Sequence, residues 1–160
     1  MKKCEEGVTL IQTIIAVVMI AILACFAIFN SRDTIVETKL AKVYNEIKIV
    51  KSAVMDYETL IPGGMKDSFS EDKLDNLSSY PKLSSYEKVN QEYYLLDFKN
   101  DSAVINDILE IRNVENNYIV NVKNLDDIEI FSVDGIEFKE ETLYEDDEII
   151  EKYNHVFAGR

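Results

Sequence analysis

The sequence predicts an α+β fold, in which a long N-terminal α-helix packs against a small C-terminal antiparallel β-sheet. Three observations lead to this class. An apolar run lies close to the N-terminus, an apolar stripe at helical spacing follows it, and apolar residues alternate with period two in the C-terminal third. The chain has 160 residues and a formal net charge of −13, which suits one modest globular domain with an appendage.

The apolar run has the length of a membrane-spanning helix. Residues 8–29 carry no charge and are interrupted only by Thr9, Gln12 and Thr13. As a helix they measure about 33 Å, enough to cross the hydrocarbon core. The run is too long for the apolar core of a cleaved secretory signal, and Lys2 and Lys3 favour a cytoplasmic N-terminus. We therefore expect residues 8–30 to pass once through the cytoplasmic membrane.

The helix is predicted to continue as an amphipathic segment over residues 31–61. Its apolar residues recur in steps of four and three and form a seam, which consists of Val36, Leu40, Val43, Ile47, Val50, Val54 and Tyr57, with Ile61 as its extension. The other faces are polar and carry Lys39, Lys42, Asn45, Glu46, Lys48 and Lys51. No proline or glycine occurs between residues 8 and 61, and Pro62-Gly63-Gly64 then ends the helix.

The seam predicts packing against a globular head formed by residues 62–160. A signal anchor followed by a coiled-coil stalk is the alternative, but the Pro-Gly-Gly joint favours a chain that turns back onto the helix. Residues 65–90 are polar, and Ser70 is a candidate N-cap for a short helix through Leu77. This segment is either a recognition surface or a simple connector.

The remaining chain predicts a short helix and a β-meander over about residues 117–144. "EYYLLDF" at 92–98 is a buried strand or turn, and Asp101 or Ser102 caps a helix that contains Val104, Ile105, Ile108 and Leu109. "NYIVNV" and "DIEIFSV" alternate as strands, joined by a turn at residues 124–127. Asp134-Gly135 then predicts a two-residue hairpin before "IEFKEETLY".

The composition offers little support for catalysis or nucleic-acid binding. From residue 52 onward there are 25 acidic and 10 basic residues, a charge that repels phosphate backbones. The only histidine, His155, is expected on the surface, and both cysteines, Cys4 and Cys25, precede the head. The acidic pairs and runs at 126–127 and 145–148 lack the ligand spacing of an EF-hand, so a solvated acidic face is expected there. We expect no enzymatic activity, no cofactor and no metal.

The N-terminus resembles the type IV pilin and pseudopilin family. The resemblance rests on a short leader with Lys2 and Lys3 that ends at Gly7, on the "VTLI" that follows, and on the long apolar run after it. It implies that prepilin peptidase removes residues 1–7 by cleavage between Gly7 and Val8, and that Val8 is N-methylated. It also implies a pilin-like fold in which residues 65–90 are the variable loop. The C-terminal third is more weakly similar to pilin-like proteins of Gram-positive bacteria.

The resemblance also implies the partners and the final location. The family's subunits assemble through the N-terminal helix with other pilins or pseudopilins, on an assembly platform in the cytoplasmic membrane, into an extracytoplasmic filament at the cell surface. The expected function is therefore a structural subunit of a type IV pilus or related filament. The alternatives are a tip-located adhesin or recognition subunit, and a pseudopilin of a type II secretion or competence system.

Gln12 departs from the family pattern. The family normally carries a glutamate at this place, and its carboxylate is thought to meet the free amine of a neighbouring subunit. An amide can accept a hydrogen bond but cannot neutralise that amine. This difference favours a minor or accessory subunit over the major building block, with a simply tolerated glutamine as the alternative. Some pseudopilins bind calcium in a C-terminal loop, so the acidic run at 145–148 has a second interpretation.

Overall fold

A computed structural model describes residues 2–89, 91–124 and 127–158 of the chain, with the side chains of 2–11, 29–32 and 124 outside the described part. The chain divides into two compact units, Met1–Glu37 and Thr38–Arg160, which we call the N-terminal and the C-terminal unit. The N-terminal unit is helical throughout its described residues. The C-terminal unit contains the hydrophobic core.

The first element is the long helix α1, Lys2–Leu60, and its predicted end is confirmed. No proline or glycine follows Gly7 within it, so nothing in the sequence interrupts the helical hydrogen bonds. Immediately after the helix, Gly63 adopts a left-handed φ of 79°. The Glu58 carboxylate accepts hydrogen bonds from the backbone N–H groups of Gly63 at 2.9 Å and Met65 at 2.7 Å. Glu58 therefore fixes the turn into the next element.

Five strands form one antiparallel sheet in the C-terminal unit, in the order β1-β2-β3-β4-β5. The strands are β1 (Lys73–Leu74), β2 (Tyr93–Leu96), β3 (Tyr118–Asn124), β4 (Asp127–Phe138) and β5 (Glu141–Glu145). Three further helices are α2 (Gly64–Ser68), α3 (Ser102–Leu109) and α4 (Asp146–Phe157). The α+β class is confirmed, and so are the strand at residues 92–98 and the short helix after Asp101.

The sheet is buried on both faces, because the segment between α1 and β2 covers the face opposite to the helix. Residues directly paired across strands share a face. One face carries Tyr94, Val120 and Ile130, all almost fully buried. The other face belongs to a cluster made of Leu77, Leu83, Tyr93, Ile119, Phe131 and Tyr144. Residues 65–89 therefore contribute buried side chains to the core and are more than a connector.

The predicted helix from Ser70 through Leu77 is wrong. A helix of five residues, α2, lies earlier in the chain, and Lys73 and Leu74 pair instead with Tyr94 and Tyr93 as the edge strand β1. Leu77 is fully buried against the sheet. The local capping signal at Ser70 was outweighed by strand pairing and by burial of the apolar residues that follow.

The predicted hairpin at Asp134-Gly135 is also wrong. Strand β4 continues through both residues to Phe138, and the turn lies at Lys139 and the residue after it. The pairing of β4 with β5 shifts register between Phe131 and Ile136, so Gly135, with a φ of 69°, lies within an irregularity of the strand. The ring of Tyr144 and the methyl group of Thr142 lie close to the Gly135 backbone and leave no space for a side chain.

Candidate assembly helix and its anchors in the C-terminal unit

The N-terminal unit presents a long, mostly apolar surface over residues 12–28. Every side chain of residues 12–28, which we call the exposed apolar segment, is exposed. The larger ones are Ile14, Ile15, Val17, Val18, Met19, Ile20, Ile22, Leu23, Phe26 and Ile28. By its length and composition α1 qualifies as a helix able to cross a membrane. An apolar surface of this size in contact with water is unfavourable, so it needs lipid or other protein surfaces as neighbours.

The residues of the predicted processing site lie at the start of α1. The backbone of Gly7 and Val8 is helical, but the side chains of residues 2–11 lie outside the described part. Gln12 is the first described side chain and is exposed, as is Cys25 further along the segment. The predicted roles of Gly7, Val8 and Gln12 in processing and assembly stay predictions.

Within the C-terminal unit the seam residues face inward. Five of them are buried, namely Leu40, Val43, Ile47, Val50 and Val54. Tyr57 is half-buried and its hydroxyl is hydrogen-bonded to the Ser68 hydroxyl at 2.7 Å. Val36 belongs to the N-terminal unit and is half-buried, whereas Ile61 is exposed. The heptad-like spacing thus corresponds to the buried face of α1 from Leu40 to Val54.

A buried carboxylate beside the seam joins α1 to the sheet. Glu46 is 2% exposed, and its carboxylate accepts hydrogen bonds from the Tyr118 hydroxyl and the Asn116 amide, both at 2.8 Å. Lys42, one turn earlier, lies 3.8 Å from the second carboxylate oxygen and donates to Glu115 at 2.5 Å. Burial first, and then the neighbouring Glu46 charge, raise the pKa of Tyr118, so its hydroxyl stays protonated as a donor.

The sequence pattern placed Glu46 on the polar outer surface, and that assignment is wrong. Glu46 follows Val43 by three residues and precedes Val50 by four, so it lies on the flank of the buried face. A glutamate at such a position is buried only when partners compensate its charge. The nearest positive charge, Lys42, lies on α1 itself, whereas the two hydrogen-bond donors, Asn116 and Tyr118, are distant in sequence.

A second ion pair connects α1 to α4. Lys51 Nζ lies 2.5 Å from the carboxylate of Asp146, a residue that is 1% exposed. The same carboxylate accepts a 3.4 Å hydrogen bond from the Ile130 backbone N–H. Nearby, the rings of Tyr44 and Tyr153 stack with centroids 3.7 Å apart and an interplanar angle of 3°. These contacts place α4 beside α1. Helix α4 was not predicted from the sequence.

The acidic run at 145–148 is not simply a solvated face. Glu145 and Glu148 form a capping box at the start of α4, and Asp146 is the buried partner of Lys51. Glu148 also accepts from the Tyr86 hydroxyl at 3.0 Å, and burial together with this bond raises the pKa of Tyr86 to about 12. Only Asp147 is exposed as expected. The run is a helix N-terminus in which acids also favour the helix dipole.

The other described titratable side chains form no evident catalytic or metal-binding arrangement. His155 is exposed in the last turn of α4. Among the described residues no group of three or more His, Cys, Asp or Glu side chains is arranged to hold a metal ion. Comparisons with protein-family models, curated proteins and solved structures found no match to this chain. The assignment of a function therefore depends on the geometry and on the sequence itself.

Proposed function

We propose that this protein is a structural subunit of a type IV pilus or a related filament, processed by prepilin peptidase and assembled through its N-terminal helix. The observation that carries the proposal is the exposed apolar segment, seventeen consecutive exposed residues on the same helix that supplies buried residues to the C-terminal unit. A surface of this kind is suited first to lipid and then to the helices of neighbouring subunits.

The proposed life of the subunit has three steps. Lys2 and Lys3 keep the leader in the cytoplasm, where prepilin peptidase cuts between Gly7 and Val8 and Val8 is methylated. The exposed apolar segment then holds the subunit in the cytoplasmic membrane. Assembly exchanges lipid contacts for contacts between helices, and this exchange depends on shape and on the few polar groups present, because both environments are apolar.

Gln12 supports a minor or accessory role within such a filament. It is the only amide among the exposed residues 12–28, and it replaces the carboxylate that the resemblance leads us to expect. Without that carboxylate, docking of the N-terminal amine of a neighbour gains less electrostatic energy. We infer that the subunit enters the filament in small numbers, in a pilus, a secretion pseudopilus or a competence filament.

Incorporation into filaments tests this role. In cells that express an assembly system with its major pilin, we expect Gln12→Glu to raise the amount of this protein in sheared filaments relative to the native chain. Asn45→Asp is the matched control, because it adds the same charge at an exposed position of α1 outside the apolar run. Equal amounts of the native and the Gln12→Glu chains would contradict the accessory role, and absence of both from filaments would contradict the proposed function.

A further inference from the structure

The C-terminal unit has an open apolar groove between α1 and residues 108–112. Its volume is about 670 Å³. The aliphatic side chains along it are Ile49, Ala53, Leu60, Ile61, Ile108, Leu109 and Ile111. Leu60 is 80% exposed, Ile61 49% and Ile49 39%. Clustered aliphatic side chains on a water-facing domain typically mark a contact surface.

The rim of the groove carries equal numbers of positive and negative groups. Lys48 and Arg112 are the cations, and Asp56 and Glu110 are the anions. All four are exposed, and none has an ion-pair partner among the described side chains. The Lys48 ammonium lies instead over the Tyr44 ring, 4.8 Å from its centroid. The four charges are thus available to a partner.

This balance singles out the groove from the rest of the unit. Residues 38–160 contain 26 acidic and 14 basic residues, so two copies repel each other over most of their surface. At the groove the two cations and two anions sum to zero charge, so this patch lacks the net repulsion that acts over the rest of the unit. Lys48 and Asp56 lie eight residues apart on α1, about 12 Å along the helix. A two-fold axis perpendicular to α1 therefore brings the same patch of two copies together with Lys48 of each copy opposite Asp56 of the other.

We propose that the groove is the contact face of a homodimer, in which the apolar strips of two copies pack together inside a rim of reciprocal ion pairs. The proposed partner is a second copy of this chain. The inference does not depend on the proposed role in filaments, since it uses only residues of the C-terminal unit.

Site-specific cross-linking of the full chain tests the contact separately from any association of the apolar helices. In lipid nanodiscs, with Cys4→Ser and Cys25→Ser as background, a Leu60→Cys thiol should form a disulfide-linked dimer on mild oxidation. Val104→Cys is the matched control, because Val104 is 58% exposed and lies outside the groove. Equal cross-linking of the two variants would overturn the proposal.

Reversing the charges of the rim tests the proposed ion pairs between the two copies. Lys48→Glu with Arg112→Glu makes the rim wholly acidic, and Asp56→Lys with Glu110→Lys makes it wholly basic. Each variant alone should lose at least about tenfold in cross-linking, because like charges then face each other, whereas a mixture of the two should restore it. Lys66→Glu with Lys82→Glu, both exposed and outside the groove, should leave it unchanged. Failure of the mixture to recover would overturn the proposed contact.

Discussion

The hydroxyl of Tyr118 donates a 2.8 Å hydrogen bond to the carboxylate of Glu46, across 72 residues of chain. It joins the C-terminal half of α1 to the first residue of β3, and both side chains are almost completely removed from water. A buried carboxylate tolerates only the orientation in which its donors are present. We infer that this pair sets the rotation of α1 on the sheet, while the aliphatic seam supplies the packing.

Removing the donor should be costly. Tyr118→Phe keeps the ring and deletes the hydroxyl, so the Glu46 carboxylate loses its shortest contact to the sheet. We expect the free energy of unfolding to fall by about 1–3 kcal/mol in chemical denaturation followed by tyrosine fluorescence. Tyr153→Phe is the control, since the Tyr153 hydroxyl has no hydrogen-bond partner among the described residues and its ring still stacks on Tyr44. Equal effects of the two substitutions would contradict the role of Glu46.

The ion pair between Lys51 and Asp146 should contribute more than those at the surface. Lys51→Met keeps most of the aliphatic stem and leaves the Asp146 carboxylate buried without its cation, so we expect a loss of about 2–4 kcal/mol. Lys152→Met breaks the 3.0 Å pair with Glu141, whose side chain is 65% exposed, and should cost less than about 1 kcal/mol. Urea denaturation of the two variants measures the difference, and a similar small loss for both would show that α4 does not depend on this pair.

Gly63 and Gly135, the two glycines with positive φ among the described residues, separate backbone strain from side-chain crowding. The Cβ added by Gly63→Ala has no atom near it, so only the strain of the left-handed backbone lowers the free energy of unfolding, by about 1 kcal/mol. Gly135→Ala has the same backbone penalty, and its Cβ would lie 2.5 Å from Tyr144 Cε1 and 2.8 Å from Thr142 Cγ2. We expect a total loss of about 2–4 kcal/mol there. Thermal unfolding of the two variants should rank them in this order. The reverse ranking would mean that β4 does not pass Tyr144 as described.

Stability should depend on pH through Glu145. Burial first, and then the negative charges of Glu129, Glu148 and Asp146, raise its pKa against the opposing effect of Lys88. A carboxyl with a raised folded-state pKa stabilises the fold when protonated, so its contribution is complete below the unfolded pKa of about 4.3 and is lost as the pH rises through the folded value. Glu145→Gln should therefore be more stable than the native chain at pH 7 and similar to it near pH 4.

The control for this titration is Glu140→Gln, an exposed residue in the turn between β4 and β5. Denaturation curves of both variants across the pH range should show a pH-dependent gain for Glu145→Gln alone. If Glu145→Gln raised the free energy of unfolding by the same amount at every pH, the gain would come from the capping box and not from the titration of Glu145.

The parts of the fold that sequence predicts well are those set by short-range chemistry. The spacing of Leu40, Val43, Ile47, Val50 and Val54 gave the buried face of α1, and Pro62-Gly63-Gly64 gave its end. The alternation in "NYIVNV" gave β3. In these places propensity, periodicity and the final packing all favour the same structure.

The wrong predictions concern places where contacts between residues distant in sequence determine the structure. Asp134-Gly135 has the composition of a hairpin, but the pairing of Ile136 with Leu143 extends β4 beyond it. The turn then lies at Lys139, a residue with a φ of 58° and no turn signature. Glu46 could be assigned correctly only with knowledge of Asn116 and Tyr118.

Helix α4 was predictable in principle. The acids at 145–148 include the two ends of a capping box, and Ile149, Tyr153 and Phe157 follow with a spacing of four. Because these acids were interpreted as a solvated acidic face, the start of α4 was not recognised. The groove at residues 108–112 was not accessible from sequence, because it forms between segments about fifty residues apart.

The central claim is that the N-terminal helix belongs to a subunit which is processed and then assembled through its apolar residues. Co-expression of the full chain with a prepilin peptidase, followed by intact-mass analysis, tests it most directly. We predict loss of residues 1–7 and gain of one methyl group on Val8, with both changes abolished by Gly7→Val. A chain that keeps its seven leader residues in the presence of an active peptidase would contradict the claim.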